Sequence, residues 1–370
     1  MNELHIGPQH PSLPGLLRLD LTTEGEICKK IIPSIGFQHR SFEKLAENLP
    51  YASIIPYVDR LDYLSSMNNE LAYAMTVEKL LGIQIPKRAE VVRVMMAELN
   101  RIASHLFYIG TLSKILGSST PYMMAMVDRE LILDIFEMAC GARLLHNYIW
   151  IGGIWKDVTP GIEEKIRDFC GQYLPSRLDE FNTLLTYNPI FIRRTAHVGI
   201  LNLETALTYG ITGPNLRACG KAWDLRKNIP YSIYNELDFS APTGTAEFGT
   251  LGDSWNRTIV RIQEIKESLK IVNQALNQIS HQISQGPFQT KLETPIKPAQ
   301  GEVFLKTENP RGELGFYIVS DGTVKPYRVK VKTPSFSFLS CLHELCTDVT
   351  LSDVFTILGS LDINMGEIDR

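Results

Sequence analysis

The sequence lacks the clustered cysteines that a metal centre or an iron–sulfur cluster needs. Its six cysteines fall at irregular spacing, and no two of them form a C-x-x-C pair. Zinc sites and iron–sulfur clusters require several ligands that lie close together. We therefore expect reduced, mostly buried thiols in a cytosolic protein, and no iron, nickel or zinc bound by this chain alone.

Long apolar runs and a basic leader are also missing. No stretch approaches the roughly 18 uninterrupted apolar residues of a membrane span. The richest region, 144–155, is broken by His146, Asn147, Gly152 and Gly153. The residues after Met1 have no basic start and no apolar core, so we expect no signal peptide. Any link to a membrane is then expected to go through a partner protein.

An excess of positive charge is absent as well. The formal net charge is −4, and the lysines and arginines form no polybasic run. A basic patch is the usual electrostatic footprint of proteins that bind nucleic acid or an anionic lipid surface. We therefore expect no nucleic-acid partner.

What the sequence does contain is helical periodicity through its middle. Apolar residues recur at spacings of three and four, which predicts long amphipathic helices that pack as a bundle. In the third helix the residues expected to face inward are Leu131, Ile135, Met138 and Leu145. The predicted helices are 62–81, 88–116, 124–148, 163–185 and 255–284, with a short one at 41–48 whose candidate N-cap is Ser41.

Alternating apolar residues predict antiparallel strands towards both ends of the chain. One hairpin is predicted over 16–32, and strands are predicted again over 302–339 around a turn at Ser320-Asp321-Gly322. A connector rich in Pro and Gln, 286–300, precedes the second group. The fold class is therefore α+β, a central bundle of long helices flanked by N-terminal and C-terminal antiparallel β elements. The predicted division is 1–50 for the hairpin and its loop, 51–290 for the bundle, and 291–370 for the C-terminal β element and tail.

Two segments and a series of motifs between them carry a resemblance to a known family. The segments are GPQHPSLPG at 7–15 and GSLDINMGEIDR at 359–370. The motifs between them are, in order, RLDY (60–63), EKLLG (78–82), ELNRIASHL (98–106), HNYI (146–149), LRACG (216–220), DLRK (224–227) and RGELG (311–315). Over essentially the whole chain, this set resembles the D-type subunits of proton-pumping NADH–quinone oxidoreductase (respiratory complex I), which form its quinone site.

The resemblance implies a fold like that of the nickel–iron hydrogenase large subunit, from which the family descends. The hydrogenase centre needs two C-x-x-C pairs, because its soft metals bind thiolates. The corresponding places here read GFQHR at 36–40 and DINM at 362–365. A nickel–iron hydrogenase is therefore excluded, and we expect the hydrogenase-like fold without its metal site.

For function, the resemblance implies a peripheral subunit on the cytoplasmic side of the cell membrane. Such a subunit forms a quinone cavity together with a small subunit that holds the terminal 4Fe–4S cluster. It also meets other peripheral-arm subunits and a membrane-arm subunit at the quinone entrance. Quinone is then the substrate, the chain binds no cofactor itself, and it is not active alone. The alternative is a scaffold subunit of a related complex, with altered or lost quinone reduction or another electron donor.

The resemblance also places four residues around the quinone headgroup. Tyr63 matches the family tyrosine that donates a hydrogen bond to the headgroup, while the alternative is an aromatic that packs at a helix start. Pro14 stands where relatives carry a histidine, and Ile115 stands where they carry the carboxylate that pairs with that histidine. The two losses fit together, because a buried carboxylate without its partner is costly. Met365 belongs to the same expected pocket.

His10 also belongs to the expected pocket, through the loop of the first segment. It is interpreted either as part of a proton path or as a side chain that fixes the loop through a backbone bond.

Three further residues are expected near the partner's cluster. Arg60 matches a family arginine whose charge raises the cluster potential. Leu145 stands where relatives carry a histidine, so we expect a lower potential without pH dependence. His146 follows it, with a core histidine at a helix end as the alternative. His105 is interpreted as a hydrogen-bonded core group, and 128–130 as a charge network.

Overall fold

The computed structural model describes residues 1–283 and 285–370, and it confirms the predicted α+β class. Within the described residues, no helix is long and apolar enough to cross a bilayer. The strands are β1 (Asn2–Ile6), β2 (Arg18–Glu24), β3 (Ile27–Ser34), β4 (Ile149–Trp150), β5 (Gly153–Ile154), β6 (Gly301–Asn309), β7 (Gly312–Ser320), β8 (Arg328–Lys332) and β9 (Val349–Thr350). The helices are α1 (Phe42–Ala46), α2 (Ile55–Val58), α3 (Ser66–Leu81), α4 (Lys87–Ile115), α5 (Ser119–Cys140), α6 (Pro160–Asp168), α7 (Leu174–Phe181), α8 (Pro189–Thr195), α9 (Leu203–Thr208), α10 (Gly213–Ala218), α11 (Leu225–Asn228), α12 (Ser254–Asn277), α13 (Pro334–Ser340), α14 (Leu342–Leu345), α15 (Leu351–Leu361) and α16 (Met365–Asp369).

Two antiparallel sheets flank the bundle. The first has the strand order β1-β2-β3-β9, and the second has the order β6-β7-β8. In β2, Leu19 and Leu21 are buried while their neighbours are partly exposed, which is the alternation that predicted the hairpin. The strand β9 comes from the C-terminal part of the chain and adds an edge to the N-terminal sheet.

The helix α4 lies at the centre of the bundle and packs against α3, α5, α12 and α15. Its burial extends around its whole circumference and includes charged residues. Helix α3 ends at Gly82, which has a φ of 66° and donates its backbone N–H to the carbonyl oxygens of the last turn. The start of α3 lies four residues later than predicted, because the Asp62 carboxylate and carbonyl accept hydrogen bonds in a turn over 62–65.

The chain's two outer parts share one core. Leu17 and Leu19 of the N-terminal part lie in the same hydrophobic cluster as Ile357 and Leu361 of α15. The predicted segments 1–50 and 291–370 therefore pack against each other.

The third predicted helix extends too far, and only one of its three predicted inward residues within α5, Ile135, is buried. It ends at Cys140, because Gly141 adopts a left-handed conformation with a φ of 78°. Leu131 and Met138, expected inside, are 37% and 39% exposed, whereas the following residues, Ile132 and Ala139, are buried. Leu145 lies in the loop after the helix with a φ of 59° and is only partly buried.

The predicted strand end at 339 and the predicted N-cap Ser41 also differ from the structure. The strands predicted up to 339 stop at Lys332, because Pro334 begins α13 at a position where proline favours a helix. Ser41 precedes α1 with a φ of 55°, and its side chain makes no capping bond. The fifth predicted helix is found as α12 followed by a π-helical turn to Gln282, and its predicted end at 284 lies outside the described residues.

Candidate functional site

A cavity of about 370 Å³ lies where the 11–15 loop, the end of α4 and the C-terminal segment meet. Three predicted residues, Tyr63, Pro14 and Ile115, line it together. Gly359 allows α15 to approach closely, since a Cβ there would lie 2.8 Å from Ile115 Cδ1. The lining residues are Pro11, Ser12, Leu13, Pro14, Gly15, Tyr63, Leu64, Phe107, Thr111, Lys114, Ile115, Tyr122, Arg311, Leu358, Gly359, Asp362, Ile363 and Asn364.

The loop that forms one wall of the cavity is held from behind. His10 Nδ1 accepts the backbone N–H of Ser12 at 3.3 Å, and its ring stacks on Phe355 with 5.4 Å between centroids. Met365 is buried, and a Cβ on Gly15 would lie 3.2 Å from Met365 Cβ. His10 and Met365 are thus neighbours of the cavity, and neither is one of its described lining residues. The backbone bond of His10 is the loop-fixing contact that sequence reasoning gave as one alternative.

Tyr63 lies between α2 and α3 and remains 37% exposed. Burial raises the pKa of the Tyr63 phenol, while the Arg311 guanidinium opposes that rise. The phenol therefore stays protonated at neutral pH and is a hydrogen-bond donor to a ligand oxygen.

Behind Tyr63, Arg311 joins three segments of the chain. Its Nη1 donates to Asp62 Oδ2 at 2.6 Å, and its Nη2 donates to Asp362 Oδ1 at 3.0 Å. The other Asp62 oxygen accepts from Asn364 Nδ2 at 2.8 Å. These buried contacts fix the turn that carries Tyr63 against the β6–β7 hairpin and the C-terminal segment. Sequence reasoning missed this role, although both RLDY and RGELG were recognised as motifs.

Glu367 is a second group that the sequence did not single out. It is fully buried next to this network, and its Oε1 accepts the backbone N–H of Ser335 at 3.0 Å. Burial and the nearby Asp62 carboxylate raise the pKa of Glu367 to about 8. The Glu367 carboxyl is therefore mostly neutral at pH 7.

The residues expected near a partner's cluster form a separate group outside the cavity. Arg60 is exposed, and its guanidinium donates to the carbonyl oxygen of Pro56. His146 is buried beneath the Phe136 ring edge, and its Nδ1 lies 2.6 Å from Ser66 Oγ. Burial lowers the pKa of His146 to about 4, so its imidazole is neutral at pH 7. His146 thus has the buried surroundings of a core histidine, which was the alternative interpretation, but it lies in a loop and not at a helix end.

A buried carboxyl pair links these two segments. Asp59, next to Arg60, accepts the backbone N–H of Asn147 at 3.0 Å. Glu70 Oε2 accepts the backbone N–H groups of Tyr148 and Ile149 at 2.8 and 2.6 Å. Burial raises the pKa of Asp59 to about 6 and that of Glu70 well above its usual range. The pair therefore holds the 147–149 segment by accepting its three backbone N–H groups.

A larger charge cluster fills the bundle core. Glu264 Oε1 accepts from Arg217 Nη2 at 3.0 Å and from Arg226 Nη2 at 2.8 Å. His105 Nε2 lies 3.0 Å from the other Glu264 oxygen, as expected of a hydrogen-bonded core group. The members, all buried, are Glu98, Arg101, His105, Arg217, Asp224, Arg226, Glu264 and Glu308.

The charges at 128–130 do not form one network. Asp128 is buried and accepts from Arg177 Nε at 3.1 Å, whereas Glu130 pairs with Arg143 at the surface. Arg129 lies over the Phe107 ring. Within the described part of the chain, no group of three or more His, Cys, Asp or Glu side chains has the arrangement of a metal site.

Comparison with known proteins decides the family. The family model of the respiratory-chain NADH dehydrogenase 49 kDa subunit matches residues 116–370. A D-type NADH-quinone oxidoreductase subunit of Cytophaga hutchinsonii is 49% identical, over 99% of this chain and 95% of its own length. The chain belongs to the 49 kDa, or D-type, subunit family.

Other members of the 49 kDa subunit family match over the same length. The D-type subunit of Chlorobium luteolum is 48% identical over 99% of this chain and 93% of its own. The D-type subunit of Chlorobaculum tepidum is 47% identical over 99% of this chain and 92% of its own. The predicted family is thus confirmed, and these relatives are subunits of an oxidoreductase complex.

Proposed function

We propose that this chain forms the quinone-reduction cavity of an NADH–quinone oxidoreductase. The observation that carries the proposal is the convergence of Tyr63, Pro14 and Ile115, from three distant segments, on one cavity. The cavity has the size of a small-molecule site and is largely apolar, with a few polar groups that converge on it. A quinone headgroup, with its flat apolar ring and two carbonyl oxygens, fits that character.

The same proposal assigns the other face of the chain to the partner subunits. The exposed Arg60 and the 141–148 loop would face the small subunit that holds the 4Fe–4S cluster, which supplies the electrons. The buried Asp59 and Glu70 pair fixes both elements relative to each other. The protein would sit at the cytoplasmic side of the membrane, next to a membrane-arm subunit, and quinone reduction would drive proton translocation.

In this proposal the chain contributes position and hydrogen bonds. Tyr63 donates its phenol O–H to one carbonyl oxygen, and that bond strengthens as negative charge develops on the oxygen. Arg311 does not reach the headgroup as a free cation, because Asp62 and Asp362 occupy its guanidinium. It keeps the Tyr63 turn in place instead.

Tyr63→Phe in the assembled complex is expected to lower the quinone-dependent kcat roughly three- to tenfold, because one hydrogen bond is lost. The measurement is NADH-dependent quinone reduction, with assembly checked by the subunit composition of the complex. Tyr57→Phe is the matched control, since Tyr57 is an exposed tyrosine outside the cavity lining. Equal turnover of both variants with every quinone tested would instead assign Tyr63 to packing at the helix start.

The residues at 14, 115 and 145 lead to an expected quinone preference. Pro14 has no proton to give, Ile115 has no charge, and Leu145 is expected to lower the potential of the neighbouring cluster. We therefore expect higher turnover with a naphthoquinone, a low-potential acceptor, than with a ubiquinone. Each 30 mV between two-electron couples corresponds to about 1.4 kcal/mol.

Variants at the two cavity positions make this expectation testable. Pro14→His alone is expected to help ubiquinone reduction little, because Ile115 leaves the imidazolium unpaired. Pro14→His combined with Ile115→Asp is expected to help more than the two single changes together, as coupled sites do. Native turnover with a ubiquinone analogue that equals turnover with a menaquinone analogue would contradict the preference.

A further inference from the structure

One charged side chain of the cavity wall has no counter-charge. The charged lining residues are Lys114, Arg311 and Asp362. Arg311 and Asp362 pair with each other. For Lys114 Nζ, no carboxylate among the described residues lies within ion-pair distance, and the adjacent lining residue is the apolar Ile115. An ammonium group with three N–H donors is thus available at the cavity.

The position of this ammonium is defined by an aromatic ring. Lys114 is in the last turn of α4, and its Nζ lies 5.3 Å from the centroid of the Tyr122 ring, which also lines the cavity. A cation over an aromatic face is attracted to it, and this restrains the end of a flexible side chain. The contact uses no N–H donor in a conventional hydrogen bond, so the donors stay free for a ligand.

Few other polar side chains of the cavity wall are free to contact a ligand. Thr111 Oγ1 already donates within α4, to the carbonyl oxygens of Phe107 and Tyr108. Asn364 Nδ2 donates to Asp62, and the Ser12 hydroxyl carries no charge. A ligand with two carbonyl oxygens therefore meets two phenol donors, Tyr63 and Tyr122, and one cationic donor, Lys114.

We propose that Lys114 is the catalytic group for the quinone carbonyl oxygen that Tyr63 does not contact. The inference rests on the proposed function above. The ammonium donates a hydrogen bond to that oxygen and stabilises the negative charge that develops there on reduction.

Quinone takes two electrons, supplied by NADH through the complex, and two protons. One Lys114 N–H bond breaks, its proton forms an O–H bond on the carbonyl oxygen, and Tyr63 supplies the proton on the other oxygen. The resulting neutral amine and phenolate regain protons from water. Lys114 is exposed, so water reaches its amine directly.

The competing explanation is a solvated lysine that only offsets the partial negative charge at the end of α4. Such a lysine affects stability slightly and leaves turnover unchanged. The two explanations therefore predict different kcat values for a variant that lacks the Lys114 charge.

The experiment compares variants of the assembled complex, with NADH and short-chain ubiquinone and menaquinone analogues. Lys114→Met keeps the length of the side chain and removes its charge and donors. It is expected to lower kcat roughly ten- to hundredfold, the range for a lost hydrogen bond to a charged group, with KM changed much less. Lys114→Arg keeps the charge but releases a proton far less readily, so it is expected to recover only part of the rate. Lys79→Met is the matched control, because Lys79 is an exposed lysine in the last turn of α3, outside the cavity.

The outcomes separate this inference from the function on which it rests. Loss of rate in Tyr63→Phe with native kcat in Lys114→Met overturns the role of Lys114 alone. Native kcat in both variants shows that neither side chain acts on the headgroup, and it overturns the placement of quinone reduction in this cavity as well. A Lys114→Met defect that appears only in vesicles with anionic lipid, and not in detergent, overturns the catalytic role and assigns the lysine to a lipid surface. A defect in both media, partly restored by Lys114→Arg and absent from Lys79→Met, supports the proposal.

Discussion

Arg311→Met is expected to lower the free energy of unfolding by about 3–5 kcal/mol and to abolish quinone reduction. The substitution leaves two buried carboxylates, Asp62 and Asp362, without the guanidinium that both contact. Repulsion between them would then weaken the attachment of the turn that carries Tyr63 to the C-terminal segment, leaving the Asn364–Asp62 hydrogen bond as a remaining link. Denaturant unfolding of the purified full-length chain and turnover of the assembled complex measure the two effects.

A surface arginine provides the control for this variant. Arg328 also contacts two carboxylates, Glu43 and Glu47, but its side chain is 43% exposed. Exposed ion pairs contribute little, so Arg328→Met is expected to cost no more than about 1 kcal/mol. Similar losses of unfolding free energy in the two variants would mean that burial does not make the Arg311 ion pairs more stabilising than exposed pairs.

Glu264→Gln is expected to lower the free energy of unfolding by a similar amount, about 3–5 kcal/mol, because it leaves buried guanidinium groups without a carboxylate. Burial alone would raise the pKa of Glu264, but Arg217, His105 and Arg226 hold it well below its usual range. A carboxyl with a depressed folded pKa stabilises the fold above its unfolded pKa and loses that contribution as pH falls through the folded value. The deficit of Glu264→Gln is therefore expected to be full at neutral pH and to shrink only in strong acid.

The measurement is denaturant unfolding of the full-length chain between neutral and acidic pH. Glu130→Gln is the control, because Glu130 forms an exposed pair with Arg143. It is expected to change stability by no more than about 1 kcal/mol. A Glu264→Gln deficit that grows on acidification would contradict the ionised state of this carboxylate in the folded chain.

The predictable parts of the fold are those whose pattern is local. The alternation of Leu19 and Leu21 identified the N-terminal hairpin, and the period of α4 identified its bounds to within a residue at each end. In the third helix two inward assignments were wrong because apolar residues occupy both faces of α5, so Leu131 and Met138 were indistinguishable from the buried Ile132 and Ala139. Hydrophobicity alone does not choose between two apolar stripes that are one position apart.

In the candidate site, only the residues identified by the family resemblance could be predicted from the sequence. Tyr63, Pro14 and Ile115 were placed by the family resemblance, and they do line one cavity. Arg311 and Glu264 were missed because a buried charge looks like a surface charge until its partner is known. The Arg311 contact with Asp62 spans 249 residues of sequence. Lys114 was missed because the sequence does not reveal that no carboxylate among the described residues lies close to its ammonium group.

The cavity also has a consequence for the order in which the protein is made. Its walls combine 11–15 with 358–364, which are synthesised about 340 residues later. The N-terminal sheet likewise receives β9 only after residue 350 has been added. Contacts of such long sequence separation form late, because the chain between them must be ordered first. During synthesis the early loop is therefore exposed without its opposite wall, and a ligand or partner that needs the cavity meets it only on a chain whose C-terminal segment has already docked.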